Sequence, residues 1–166
     1  MMLDSIKNRR SIRRFKAQEV DGKLVKEIIE AGTWAPSGLN NQPWKFVIIR
    51  SPAIKDQLAV LTRYGKIIQQ APLCIAVFLD TAATYDRTKD IQAIGACIQN
   101  MLLAIHALGL GGVWLGEILK NSEKVRHLLG ISSALELMAV IALGYPDEQT
   151  VASPRKKLDE VIVKEV

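Results

Sequence analysis

A layered domain of sheet and helices, α/β or α+β, is the fold class predicted by this 166-residue sequence. Short apolar runs at 46–49, 73–79 and 136–143 have strand length, and the segments between them carry apolar residues at helical spacing. The composition, 49% hydrophobic and 23% charged, is that of an ordinary globular core. No repeat, low-complexity segment or Ser/Gly-rich linker interrupts the chain, so a single domain spanning residues 1–166 is expected.

Leu3 and Ile6 begin a short first helix that leads into Asn8-Arg9-Arg10-Ser11-Ile12-Arg13-Arg14-Phe15. Four guanidinium forks around one hydroxyl match the oxygens of a phosphate monoester. A basic helix end or a nucleic-acid arm has the same composition, and the stretch alone leaves these readings open. Asp21 is placed to cap a second helix, whose apolar stripe is Leu24, Val25, Ile28 and Ile29.

Residues 33–44 follow as a turn-rich loop with two prolines, a glycine and three amide side chains. Amides offer donors and acceptors together, which suits the edge of a heterocycle with alternating carbonyls and ring nitrogens. The alternative is that Ser37 and the asparagines satisfy their own backbone. A strand at 45–50 reads as covered on both faces. Ser51-Pro52 opens a helix, and Pro72 stops the next one before the strand at 73–79.

The longest helix is expected over 86–108, with Ile91, Ile94, Ile98, Met101, Leu102 and Ile105 on its apolar side. Ala93, Gly95, Ala96 and Ala104 permit close approach of another backbone, placing this helix at the centre of the core or of a homodimer. Gly109 ends it, and a strand at 113–115, a helix at 122–129 and a strand at 136–143 complete the body. Gly144-Tyr145-Pro146 makes a turn. Arg155-Lys156-Lys157 form a second basic group, and 161–163 reads as a short strand that pairs with another subunit's sheet edge or frays.

A net charge of +5 and an isoelectric point near 9.3 suit an acidic partner, but the excess lies at one end instead of along a stripe interleaved with aromatics. Nucleic acid is therefore not the expected partner. No apolar run approaches the roughly 18 residues of a membrane span, and residues 1–10 lack a signal-peptide apolar core, so a cytoplasmic protein with no membrane partner is expected. Cys74 and Cys97 have no C-x-x-C spacing and read as buried thiols. A dinucleotide fingerprint through Gly109, Gly111 and Gly112 fails, because its third glycine falls on Trp114 and the run follows a helix. His106 and His127 sit in different helices, so neither a metal site nor a triad is expected. Without a nucleophile or acid–base pair, no catalytic residue is assigned, and the chemistry points to a bound cofactor.

The motifs Arg9-Arg10-Ser11-Ile12-Arg13, Ala35-Pro36-Ser37-Gly38-Leu39-Asn40-Asn41-Gln42-Pro43-Trp44, Gly144-Tyr145-Pro146 and Arg155 together resemble the FMN-dependent nitroreductase family in order and spacing, over nearly the whole chain. The resemblance implies an α+β fold with a central, mainly antiparallel sheet flanked by helices, in an intertwined homodimer with FMN at the interface. It also implies an oxidoreductase that passes hydride from NADH or NADPH through flavin N5 to a nitroaromatic, quinone or similar flat electrophile by a ping-pong mechanism. A flavin-binding or flavin-sensing protein without efficient turnover is the alternative.

By position, the resemblance assigns Arg9, Arg10, Ser11, Arg13 and Arg155 to the FMN phosphate and the polar edge of the ring, Arg13 facing the N1–C2 edge. Pro36, Ser37, Gly38, Leu39, Asn40 and Gln42 would approach from the partner chain, and Trp114, Leu115, Gly116 and Glu117 would turn their backbone toward N5. The chain departs from larger family members between residues 79 and 90, which are too few for the helices that roof the flavin there. It departs also at Gly116, which shifts the family's acidic position to Glu117.

Overall fold

The computed structural model describes residues 2–150 and 153–166, the side chain of Met2 excepted. Four strands, β1 (Trp44–Ile49), β2 (Leu73–Asp80), β3 (Gly111–Leu115) and β4 (Leu135–Gly144), form one sheet in the order β1-β2-β4-β3. Every neighbouring pair is antiparallel, which settles the choice between α/β and α+β in favour of α+β.

Side chains of β2 alternate between faces, and both faces are covered. Leu73, Ile75, Val77 and Leu79 meet α2 (Gly22–Thr33) and α5 (Arg87–Ala107), while Cys74, Ala76 and Phe78 meet the opposite layer. That layer comprises α3 (Pro52–Ala59), α4 (Gly65–Gln70) and α6 (Ser122–Leu128), which contribute Leu58, Ile68 and Val125. Complete burial of each such side chain contributes roughly 1.5–3 kcal/mol before chain entropy is subtracted. Both cysteines are buried free thiols, and burial raises each to about 12.

Capping follows the residue types. Asp21 accepts from the Lys23 N–H at 2.7 Å at the start of α2, Ser51 accepts from Ile54 N–H ahead of Pro52, and Asp86 accepts from Lys89 N–H at 3.0 Å at the start of α5. Gly109 ends α5 at φ +74°, a left-handed conformation that glycine adopts without penalty.

The 45–50 strand has apolar cover on both faces, Trp44 and Phe46 packing with the α2 and α5 layer and Val47 and Ile49 with the opposite one. As an outer strand, β1 is covered only in part: Lys45 is exposed and Ile48 is 47% exposed. The sequence run is equally apolar in a central and an edge strand, so only pairing decides. Residues 161–163 follow a 3-10 turn at Leu158–Glu160 and pair with no strand among the described residues of this chain, leaving Val161, Ile162 and Val163 exposed.

The small-residue side of α5 is partly open: Ala93 is buried, while Gly95, Ala96 and Ala104 are half-buried. A Cβ built on Gly95 would meet nothing within 4 Å. Ser5, Ala31, Trp34, Asn100, Leu103, Ala104 and Ala107 line a shallow, largely apolar cleft of about 450 Å³ on this side, with Trp34 81% exposed.

Candidate functional site

The N-terminal basic stretch leaves α1 (Met2–Asn8) and runs beside the free edge of β3, where Ser11 bridges Gly112 in parallel and the Ile12 N–H donates to Gly112 O at 3.1 Å. Ile12 and Phe15 point inward and are buried. Gly111 makes this approach possible: a Cβ there would lie 2.6 Å from Ile12 Cγ1. Farther along, Lys16 N–H donates to Tyr145 O at 2.9 Å and Asp147 N–H to Arg14 O at 3.0 Å, so the 144–146 turn clamps the stretch from the other side. The basic segment is a fixed wall, with its arginines forced outward by the two apolar anchors.

Arg9, Arg10, Ser11, Arg13 and Arg155 line one polar cleft of about 360 Å³, together with Glu148, Gln149, Thr150 and Ser153. Arg14 does not line it; its Nε stands 3.5 Å from Glu148 Oε2. The Glu148 carboxylate also accepts from the Arg13 and Arg14 N–H groups, at 2.5 and 3.3 Å, so it organises the backbone. Those bonds, with Arg14, hold it below the usual carboxylate range despite its partial burial. Among the described residues no carboxylate forms an ion pair with the side chain of Arg9, Arg10, Arg13 or Arg155.

The electrostatic cost falls on Arg9, whose pKa is lowered by burial and then by the charges of Arg10 and Arg155. Arg10 Nη1 donates to Lys7 O at 2.6 Å and Arg155 Nη1 to Ser153 Oγ at 2.7 Å, which restrains both side chains. Donors in surplus around an unbalanced positive charge make an anion site.

The amide-rich loop lies elsewhere on the same chain. Pro36, Ser37 and Gly38 line a cleft with Tyr85 and Lys89, Asn40 and Gln42 line a depression beside Trp34, and Leu39 is 85% exposed. A 3-10 turn at Gly38–Asn40 shapes the loop, and Leu39, Asn40 and Gln42 all have positive φ, at 55°, 55° and 47°. Gly38 does not share that conformation and answers to packing: a Cβ there would collide with the Tyr85 hydroxyl and ring. Asn41 holds the loop down, its Nδ2 donating to Asp90 Oδ1 at 2.6 Å and to Ala83 O at 3.0 Å.

Trp114, Leu115, Gly116 and Glu117 end β3 and enter a 3-10 turn at Glu117–Asn121. Trp114 is 40% exposed, whereas the Leu115 side chain is buried in the core and leaves only its backbone available. The Glu117 carboxylate is engaged: Oε2 accepts from Thr62 Oγ1 at 2.6 Å and Arg63 N–H at 3.1 Å, and Oε1 pairs with Lys120. Lys120, then Thr62, hold its pKa down at about 2. A depressed carboxylate contributes stability that is complete above its unfolded pKa and is lost as pH falls through the folded value. Glu117→Gln is accordingly expected to lower the melting temperature at pH 7, with the difference from the native chain shrinking below about pH 4; equal differences at pH 7 and pH 3 would contradict this.

Sequence reasoning missed Glu148, the Thr62–Glu117 bond, and the Asn41–Asp90 pair with Tyr85. Each joins residues distant in the chain. The only sequence signal was a charged residue, Asp90, next to the apolar face of a long helix.

The sequence model of the nitroreductase family matches residues 6–63 and 60–145. A provisionally named NADH dehydrogenase/NAD(P)H nitroreductase from Methanothermobacter thermautotrophicus is 34% identical over 149 residues, covering 89% of this chain and 78% of that protein. Among solved structures, a provisionally named nitroreductase from Desulfovibrio desulfuricans in complex with FMN is 48% identical, with a TM-score of 0.94 over 99% of this chain and 96% of the other. An NADPH:FMN oxidoreductase from Vibrio harveyi, complexed with NAD+, is 25% identical with a TM-score of 0.89, covering 99% of this chain and 76% of that one.

Proposed function

The chain belongs to the nitroreductase family, and from that premise we propose that it is an FMN-dependent oxidoreductase carrying hydride from NADH or NADPH to a nitroaromatic, a quinone or a similar flat electrophile, with one pocket serving donor and acceptor in turn. The observation that carries this reading is the convergence of Arg9, Arg10, Ser11, Arg13 and Arg155, from opposite ends of the chain, on one cleft with a surplus of positive charge. A phosphate monoester dianion suits that donor set. When bound, FMN supplies two-electron chemistry at its N5 atom.

The chain's own residues bind and orient. Arg9, Arg10 and Arg155 take the phosphate, and the Ser11 hydroxyl is a further donor. Arg13 faces the N1–C2 edge of the ring, where a fixed cation favours added negative charge. Arg13→Ala is expected to raise the FMN dissociation constant and lower the flavin reduction potential, both measurable by titration; unchanged values remove Arg13 from this role. Trp114, Gly116 and the backbone of Leu115 and Glu117 would hold the ring. Glu117, ionised down to about pH 2, is no proton donor at neutral pH.

Pro36, Ser37, Gly38, Leu39, Asn40 and Gln42 would meet the flavin from a second copy of the chain. Support for a homodimer comes from the partly open small-residue side of α5, from exposed Trp34 and from the exposed apolar residues Leu158, Val161, Ile162 and Val163, a segment suited to the unpaired edge of β1 in a partner.

The test is a visible spectrum after incubation with FMN and desalting, repeated anaerobically with NADH and with NADPH. Retained yellow colour that bleaches is the expected result and names the donor. Retained colour without bleaching by either nucleotide favours a flavin-binding or flavin-sensing role, and loss of flavin on desalting overturns the assignment of the cleft.

A further inference from the structure

Ile12 and Phe15 are both buried, although residues three apart in an extended run point to opposite faces. The backbone therefore leaves regular strand geometry between them, at Arg13 and Arg14, which lie between the bridges Ser11–Gly112 and Phe15–Pro146 and belong to neither. Their N–H groups need an acceptor from outside the sheet. Glu148 supplies it, Oε1 accepting from Arg13 N–H at 2.5 Å and from Arg14 N–H at 3.3 Å. Pairing of 14–16 with 145–147 brings it there, through Lys16 N–H to Tyr145 O and Asp147 N–H to Arg14 O.

The same carboxylate sorts two adjacent arginines. Its Oε2 stands 3.5 Å from Arg14 Nε, and the Arg14 side chain is 69% exposed and outside the basic cleft. Arg13 turns the other way: it lines the cleft, with Nη1 donating to Ser11 O at 3.4 Å. Glu148 lines the cleft as well, yet its oxygens are committed to the 13–14 segment. A negative charge in an anion site opposes the ligand, so its presence there calls for a compensating role.

We propose that Glu148 is a positioning residue for the flavin: by holding the backbone at Arg13 it aims that guanidinium at the ring edge, and by pairing with Arg14 it keeps the second one out of the cleft. The inference rests on the oxidoreductase reading above, which gives Arg13 that edge, and adds the group that places it. Glu148 acts through Arg13 and takes no part in hydride transfer. The sign of its effect on the flavin separates this role from that of a bare charge. Removing a nearby negative charge favours the anionic reduced flavin and raises the reduction potential. Losing the Arg13 contact lowers it.

Two conservative substitutions separate geometry from charge. Glu148→Gln keeps an acceptor at full reach and removes the charge, whereas Glu148→Asp keeps the charge and shortens the reach by one methylene. Reduction potentials of the FMN-loaded proteins, from anaerobic titration against reference dyes, report on both, and melting of each variant with FMN confirms that it folds. Glu148→Asp is expected to lower the preference for reduced over oxidised FMN by about tenfold, or about 30 mV for a two-electron couple, the lower range for a charge-assisted bond. Glu148→Gln should leave the potential level or raise it. In an Arg13→Ala background, Glu148→Asp should have no further effect. A native potential in Glu148→Asp, an equal fall in Glu148→Gln, or a full effect of Glu148→Asp without Arg13 overturns the inference, while retained and bleachable FMN keeps the oxidoreductase reading intact. A native protein that retains no FMN overturns both.

Discussion

Arg9→Ala is expected to weaken FMN binding by about 100-fold while changing riboflavin binding by less than about threefold, because charge-assisted hydrogen bonds to an anion contribute roughly 1.5–3 kcal/mol each and riboflavin lacks the phosphate. Arg155→Ala should behave in the same way, and the double variant should lose about a thousandfold or more. The apoprotein should respond in the opposite sense. Arg9 is pushed toward its neutral form by burial, Arg10 and Arg155, so its removal relieves repulsion, and the melting temperature without FMN should stay level or rise. Fluorescence titration with both flavins and melting with and without FMN measure all of this. A parallel loss of riboflavin and FMN affinity would mean that Arg9 shapes the ring pocket and not the phosphate site.

Asp90→Ala is expected to cost about 3 kcal/mol of stability, since three part-buried N–H donors lose a charged acceptor at roughly 1 kcal/mol or more each. For a chain of this size that lowers the melting temperature by about 10 °C. Burial alone would raise the Asp90 pKa, but the Asn41 amide and the N–H groups of Asp86 and Tyr85 outweigh it and hold the carboxyl below its usual range. Asn41→Ala should cost less, because it also removes Asn41 Oδ1, a buried acceptor without a partner. A double-mutant cycle on the pair should give a coupling of about 1–2 kcal/mol. Additive losses would show that Asp90 and Asn41 stabilise the protein independently. The loop has strain to release: leucine and glutamine at positive φ are held in a conformation that costs each of them roughly 1 kcal/mol or more, as Leu39 and Gln42 are here. Loss of Asp90 should therefore loosen residues 38–42 first, which amide exchange in that segment would report.

Residues whose role follows from local chemistry are legible in the amino-acid sequence. Asp21, Ser51 and Asp86 cap helices because their oxygens reach nearby N–H groups, and Pro72 and Gly109 end helices for equally local reasons. The basic stretch and the amide-rich loop are recognisable as motifs, and the family resemblance attaches Arg155 to the first. Pairing is not legible in this way. The β1 run does not reveal that the strand lies at the sheet's edge, and 161–163 has strand character but no partner strand among the described residues. The role of Glu117 is decided by Thr62, Arg63 and Lys120, which bind its carboxylate and remove it from acid–base work.

By itself, then, the sequence determined the periodic elements, the apolar run that becomes β2 and the residue types that bind an anion, because each depends on side chains a few positions apart. Only the tertiary structure decided the strand order, the burial of Arg9 beside Arg10 and Arg155, and the pinning of Asn41 and Tyr85 to Asp90. Those depend on how the layers close over the sheet, and desolvation at the points of closure converts ordinary charged residues into an unbalanced cationic cleft and a buried carboxylate.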